Sequence, residues 1–368
     1  MQPPYSRLKI TLRVVTMVAV VLFIVLQIVV RLPPTIRLKP ESELAKLTVI
    51  SDSYPCLLVE RQTPSGPLSA SIRQCLPALD NDAEVEQYEI DLRSGLFILR
   101  KTDLFVSDSM PLALTRAYRL WDNRPYAFGV GGNHSYDIYP TGDHFPYTYM
   151  NLNLADGTAI RYDRISQGTS YADFLAEHIG TPVTPFQKSR VQWRGDHWEL
   201  TLHGGTLINL PDSYQATRAA AGAPTAIRNE QGELVRLLRD SQHNLTTVTS
   251  PHNRHIHLRY DSDNRVIEAA DDDDHAVYYS YDAEGRLAEV RQRGLLAWRY
   301  LYDSRGMVQV QDALQRALVT NQYSRGRIAT LTLGSGATYR FDYLVAANGK
   351  VAETLVTDPA GKVATFTF

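Results

Sequence analysis

The chain has 368 residues and only two cysteines, Cys56 and Cys75. That scarcity excludes a disulfide-dense scaffold or a thiolate-rich metal domain. An excess of charge is also missing. The 38 Lys and Arg nearly balance the 40 Asp and Glu, for a formal net charge of −2. Nothing in that balance steers the chain toward nucleic acid. There is no low-complexity run; the 22 Gly and 19 Pro are scattered as turn punctuation. Long apolar runs are missing too, with one exception at the N-terminus.

That exception is "LKITLRVVTMVAVVLFIVLQIVVRLPP", Leu8 to Pro34. Within it Val14 to Val30 gives 17 residues without a charge. At ~1.5 Å per residue this reaches about 25 Å, enough to span a membrane with its flanks. A cleaved signal peptide needs small residues after its apolar core, and "IVVRLPP" offers none. The expectation is an uncleaved single-pass anchor, with residues 1–32 forming a cytoplasmic tip and the span. Charge does not orient it: Arg7, Lys9 and Arg13 precede it, and Arg31, Arg37 and Lys39 follow. The cysteines do. They bracket the Pro/Gly/Ser-rich loop of "CLLVERQTPSGPLSASIRQC". This reads as a disulfide, with two unrelated thiols as the alternative. A disulfide needs an oxidising compartment. The expected location is the inner membrane, with the body in the periplasm.

Residues 33–87 read as a linker carrying the disulfide loop, 88–225 as a β module, and 226–368 as an array of hairpins. In the module, "MNLNLADGTAIRYD" reads as strand, Asp156-Gly157 turn, strand. "RVQWRGDHWELTL" does the same around Gly195-Asp196. Residues 171–179, "YADFLAEHI", are the one stretch after the span with a helical pattern.

Tyr-Asp pairs recur at a fixed distance. Tyr260, Tyr281, Tyr302 and Tyr323 are spaced by 21 residues, and the first three precede Asp261, Asp282 and Asp303. Two and four residues before each Tyr lie Leu258 and Ile256, Tyr279 and Val277, Tyr300 and Trp298, and Asn321 and Val319. This period of two is a strand burying one face. After each Asp comes Asn264, Gly285 or Gly306, types that take φ > 0. Arg265 or Arg286 follows, and then a return strand. Tyr339, Phe341 and Tyr343 continue the series, as do Ala364, Phe366 and Phe368. A degenerate copy begins at Asp240. The array repeats because each hairpin leaves edges that the next covers.

At "YDSDNRV", "YDAEGRL", "YDSRGMV" and "DPAGK" the sequence resembles the RHS (rearrangement hot spot) or YD-repeat family. The stretch Tyr88 to Pro140 resembles the module that opens many bacterial RHS proteins. The resemblance implies a mostly β fold of stacked hairpins in a curved or spiral sheet. In long relatives that sheet closes into a hollow shell around a C-terminal toxin. This chain has a handful of repeats, which reads as too few to close a shell. No RHS terminal motif, self-cleaving aspartate segment or toxin module is expected from the residues of this sequence. It is expected to be a short member of the family or a fragment of a longer gene.

Other constellations yield bland readings. The run Asp271–Asp274 with His275 lacks the alternation and Gly turn of a calcium loop, and reads as a solvated acidic turn. His255 and His257 share an outward strand face, but no third metal ligand is visible. The "RGD" at Arg194–Asp196 is a hairpin turn, "FGVGG" at 128–132 is no phosphate loop, and "LGSGA" at 333–337 is no nucleophile elbow. No catalytic, cofactor or metal residues emerge. The expected function is a non-catalytic, membrane-anchored scaffold or partner-binding surface, linked to a toxin or secretion system. The alternatives are a carbohydrate-binding envelope module, with aromatics such as Trp121 and Tyr126 stacking on sugars, and a hydrolase.

Overall fold

The computed structural model describes residues 54–368 except 62–65, 76–85, 120–123, 181–183, 214–215 and 217. Among the described residues the chain is almost wholly β, with one 3-10 turn at Ala219–Gly222. No helix among them is long and apolar enough to cross a membrane. The expected anchor at Val14–Val30 lies outside the described residues.

Two sheets make up the body. The first has strands β1 (Tyr54–Arg61), β2 (Leu68–Cys75), β3 (Glu86–Asp91), β4 (Leu96–Val106), β5 (Leu112–Arg119) and β8 (Gly132–His134), ordered β2-β1-β3-β4-β5-β8. A small ribbon, β6 (Pro125–Tyr126) and β7 (Gly129–Val130), leads into β8. The stretch read as a linker thus supplies two strands of this sheet. Cys56 and Cys75 are joined by a disulfide across the β1–β2 hairpin, with Cα atoms 5.9 Å apart. It closes the loop expected from the sequence.

The second sheet is an antiparallel ribbon of 21 strands, from β9 (Tyr139–Gly142) to β29 (Val363–Thr367), coiled into a barrel-like wall. The ribbon crosses residue 225 without a break, because Ile208 pairs with Ile227 and Ile227 with Val235. The strands of residues 139–228 extend the same sheet as the repeats, so the ribbon is longer than the repeats alone. Residues 171–179 are not helical. They form a turn and the strand Leu175–Glu177, with Ala176 buried against Val191. Pairing to a neighbouring strand overrides the weak periodicity there.

The repeat strands are β19 (His255–Tyr260), β21 (Ala276–Tyr281), β23 (Leu295–Asp303), β25 (Ala317–Ser324) and β27 (Thr338–Val345). Their return strands are β20 (Val266–Asp271), β22 (Leu287–Gln292), β24 (Gly306–Gln311), β26 (Arg327–Leu333) and β28 (Val351–Thr357). Ile256, Val277, Val319 and Phe341 are buried together, with Trp298 and Tyr339 packed half-buried beside them. The same core contains Leu57, Ile90, Phe97, Leu112 and Leu114 of the first sheet. The repeat part of the wall is therefore filled by the chain's own inner sheet, whereas the strands between Met150 and Leu210 share a separate core. Backbone bonds stitch the two: Val266 N to Ala127 O at 2.8 Å, Ile328 N to Gly95 O at 2.9 Å, and Val130 N to Gly285 O at 3.1 Å. At Gly129 the backbones touch. Its φ is +80°, and a methyl there would lie 2.2 Å from the Gly285 carbonyl oxygen.

Candidate functional site

The Tyr-Asp motif is a structural unit with three linked parts. A β-bulge falls immediately before Tyr260, Tyr281, Tyr302 and Tyr323. The extra residue lies on the return strand opposite, at Ile267, Ala288, Val308 and Ala329, and each Tyr side chain reaches back to the preceding hairpin. There the phenols donate to backbone carbonyls of the previous return segment: Tyr260 to Leu245, Tyr281 to Val266, Tyr302 to Leu287 and Tyr323 to Met307, at 2.6–3.0 Å. The carboxylate closes the turn. Asp261 accepts from the backbone N–H of Asp263 and Arg265 and from Arg265 Nε, and Asp282 repeats this with Glu284 and Arg286. Finally each turn caps the next Tyr. Arg265 lies 4.6 Å over the Tyr281 ring, and Arg286 lies 4.7 Å over Tyr302. One copy completes its neighbour at both ends, which explains the constant spacing.

Gly285 takes positive φ in its turn. Asp303 and Gly306 depart from the pattern. Asp303 bonds the backbone N–H and side chain of Arg305, and Gly306 already pairs with it as a strand residue. The same Asp turn also closes the opposite ends of the hairpins, at Asp271, Asp312 and Asp358, and an earlier turn at Asp240. The Asp312–Arg316 spacing was the readable signal for these.

The interface between inner sheet and wall carries buried charge. Arg116 pairs with Asp103; its Nη2 is 3.1 Å from Asp103 Oδ1 and donates to the Tyr300 hydroxyl at 2.9 Å. The Tyr279 hydroxyl donates to Asp103 Oδ2 at 2.8 Å. Burial lowers the Arg116 guanidinium's affinity for its proton, but Asp103 more than offsets this and holds its pKa well above the usual value. Arg100 likewise joins Glu89 to Asp156. Such pairs fix one arrangement, because breaking one strands a buried charge. No periodic signal in the sequence marks Asp103 or Arg116.

Four arrangements bear on chemistry. At the rim, Ser109, His252 and Asp108 converge, but Ser109 Oγ (3.4 Å) and Asp108 both approach His252 Nδ1. A nucleophile triad needs the serine on the other ring nitrogen, so this is a clasp rather than a catalytic set. A cleft of about 920 Å³ is lined by Pro211, Arg236, Arg239, Asp240 and His243 among others, with no Phe, Trp or Tyr among the described lining residues. Arg239 there is committed to Asp137 and to the Tyr136 carbonyl. The Tyr126 ring is half-buried with Arg124 5.8 Å over it, and Trp121 lies outside the described residues. His255 and His257 face outward beside Asp272, one of three groupings of metal-type donors among the described residues.

Residues 224–359 match the family model described as the teneurin YD-shell. That match covers the hairpin array of the repeats, a little over a third of the chain. A crystal structure of TcdB2-TccC3-Cdc42 aligns at 12% identity over 84% of this chain and 19% of that one, with a TM-score of 0.31. A Photorhabdus luminescens Tc holotoxin pore aligns at 14% identity over 74% of this chain and 19% of that one, at 0.26. The chain thus spans about a fifth of the length of these proteins, and scores at this level do not establish a common three-dimensional frame. No curated protein matches the chain.

Proposed function

We propose that the chain is a non-catalytic envelope scaffold whose binding surface is the outer face and turn rims of the YD-repeat wall. One observation carries this reading: the inward face of the wall is occupied by the chain's own first sheet, in a shared core. The interior is spoken for, so recognition falls to the outside. In this reading residues 14–30 anchor the chain in the inner membrane and the body faces the periplasm, which the Cys56–Cys75 disulfide supports. The partner is a protein of a toxin or secretion system, the setting in which RHS proteins are expected to work.

Site-specific photo-crosslinking of the full chain in its own membranes tests it. A crosslinker at the outward positions Arg259 and Tyr278 should capture a second protein. At the inward position Tyr279 it should react only within the chain. Crosslinks to a separate cargo from Tyr279 would overturn the reading. Saturable glycan binding without any protein adduct would favour the carbohydrate alternative.

A further inference from the structure

We propose that His255, His257 and Asp272 form a binding site for a divalent transition-metal ion on the outer face of the wall. His255 and His257 stand two residues apart on β19, so strand geometry puts both imidazoles on one face. Their rings stack with centroids 5.4 Å apart and planes 14° from parallel. The third donor comes from the turn after β20. Asp272 Oδ2 accepts the backbone N–H of His255 at 2.6 Å, and Oδ1 lies 3.2 Å from His255 Nδ1. Across the strand pair, Thr247 Oγ1 lies 3.2 Å from His257 Nδ1 and steadies that ring. One ligand atom from each of the three residues lies within 4.8 Å of the others. Metal–donor bonds of about 2.0–2.2 Å need a closer approach than that, which small rotations of partly exposed side chains supply.

The donor set selects the metal class. Two imidazoles and one carboxylate suit zinc, copper or nickel, whereas calcium and magnesium call for an all-oxygen shell. The other two donor groupings are already used by the fold. Cys56 and Cys75 beside Glu89 are tied in the disulfide. In the third, Asp271 accepts from the backbone of Asp273 and His275 and from the His275 ring, the same turn closure that Asp261 and Asp282 make. Arg254 is the competitor: its Nε lies 3.7 Å from Asp272, while its Nη2 bonds Asp273. A metal must displace part of that contact, which weakens the site without blocking it. Bound there, the ion would tie the β19 strand to the next hairpin's turn.

The test is calorimetric titration of the untagged full chain in detergent with zinc, then nickel, then magnesium. The expected result is saturable one-to-one binding of zinc and nickel and none of magnesium. Losing a mere outer-shell partner of a metal site costs about 10–100-fold in affinity, so His257→Ala and Asp272→Asn should each lose at least tenfold. His203→Ala, an exposed histidine elsewhere, should bind like the parent. Zinc should raise the melting temperature of the parent and not of His257→Ala, a control that the variant folds. Absence of a saturable site would overturn the proposal. So would affinity unmoved by either substitution.

Discussion

At the scale of single residues, the phenol ladder is the distinctive device. Tyr281→Phe removes one hydroxyl and leaves the Val266 carbonyl without that donor. Chemical denaturation should show a loss of about 0.5–1.5 kcal/mol. Tyr278→Phe, on the exposed face, should change stability by under about half a kcal/mol. Equal effects would mean that the ladder does not hold the hairpins together. Trp298 and Arg299 make a second contrast. Full burial would set the cost of Trp298→Ala at about 3–5 kcal/mol. Its ring is half-buried, with Lys101 Nζ 4.3 Å from the centroid, so about 2–3 kcal/mol is expected. Arg299 is not bare surface, since it pairs with Glu289 at 2.6 Å. Arg299→Ala should cost up to about 1 kcal/mol, as partly exposed ion pairs do.

Elements meet at points that single strands do not reveal. Gly129 lets the β6–β7 ribbon reach the turn at Gly285, and Gly294 takes a similar φ with open space around it. Alanine at either position strains the backbone by about 1–2 kcal/mol. Gly129→Ala should cost clearly more, because its methyl collides with the Gly285 carbonyl. Matched melting curves of the two variants check this. The clasp between Asp108 in the β4–β5 connection and His252 before β19 predicts a pH dependence. Its hydrogen bond to Asp108 raises the His252 pKa above 6.5. Burial pushes the Asp108 carboxyl up, but bonds from Ser250 and His252 outweigh it and hold the pKa below 3.8. A raised imidazole stabilises the fold below its unfolded pKa and loses that effect as pH rises through the folded one. A lowered carboxyl stabilises above its unfolded pKa and loses the effect in acid. The clasp thus works best between about pH 4 and 6.5. The melting-temperature gap between parent and His252→Ala should be largest near pH 5.5 and shrink by pH 8. A gap that ignores pH would show that the pair is not coupled to folding.

For the whole molecule, the disulfide and the filled interior matter most. The bond spans a separation of 19 residues, a loop for which the chain-entropy model gives about 3 kcal/mol. Alkylation of unreduced, denatured protein should find no free thiol, and reduction should lower the melting temperature. Free thiols without reductant would argue against an oxidising compartment. The proposed anchor is checked by mass spectrometry of the mature chain. An N-terminus near Leu32 would sink it.

The repeat was legible from the residues alone: its spacing, its inward face and its turn chemistry. Those are local. A strand's two faces follow from period two, and an Asp four residues before an Arg closes its own turn whatever surrounds it. The sequence also placed the two cysteines across one short loop. What the inward face packs against is set by the fold. That face meets β1–β5, and contacts such as Arg116 to Tyr300 join residues 184 apart. No periodicity encodes such a pairing, because each sheet needs only some apolar partner and the chain's connectivity chooses which. The helical pattern at 171–179 fell to the same cause, a strand pairing supplied by Val191. Asp272 shows it again. It is one of four consecutive aspartates in the sequence, and only the fold of the β19–β20 hairpin sets it beside His255.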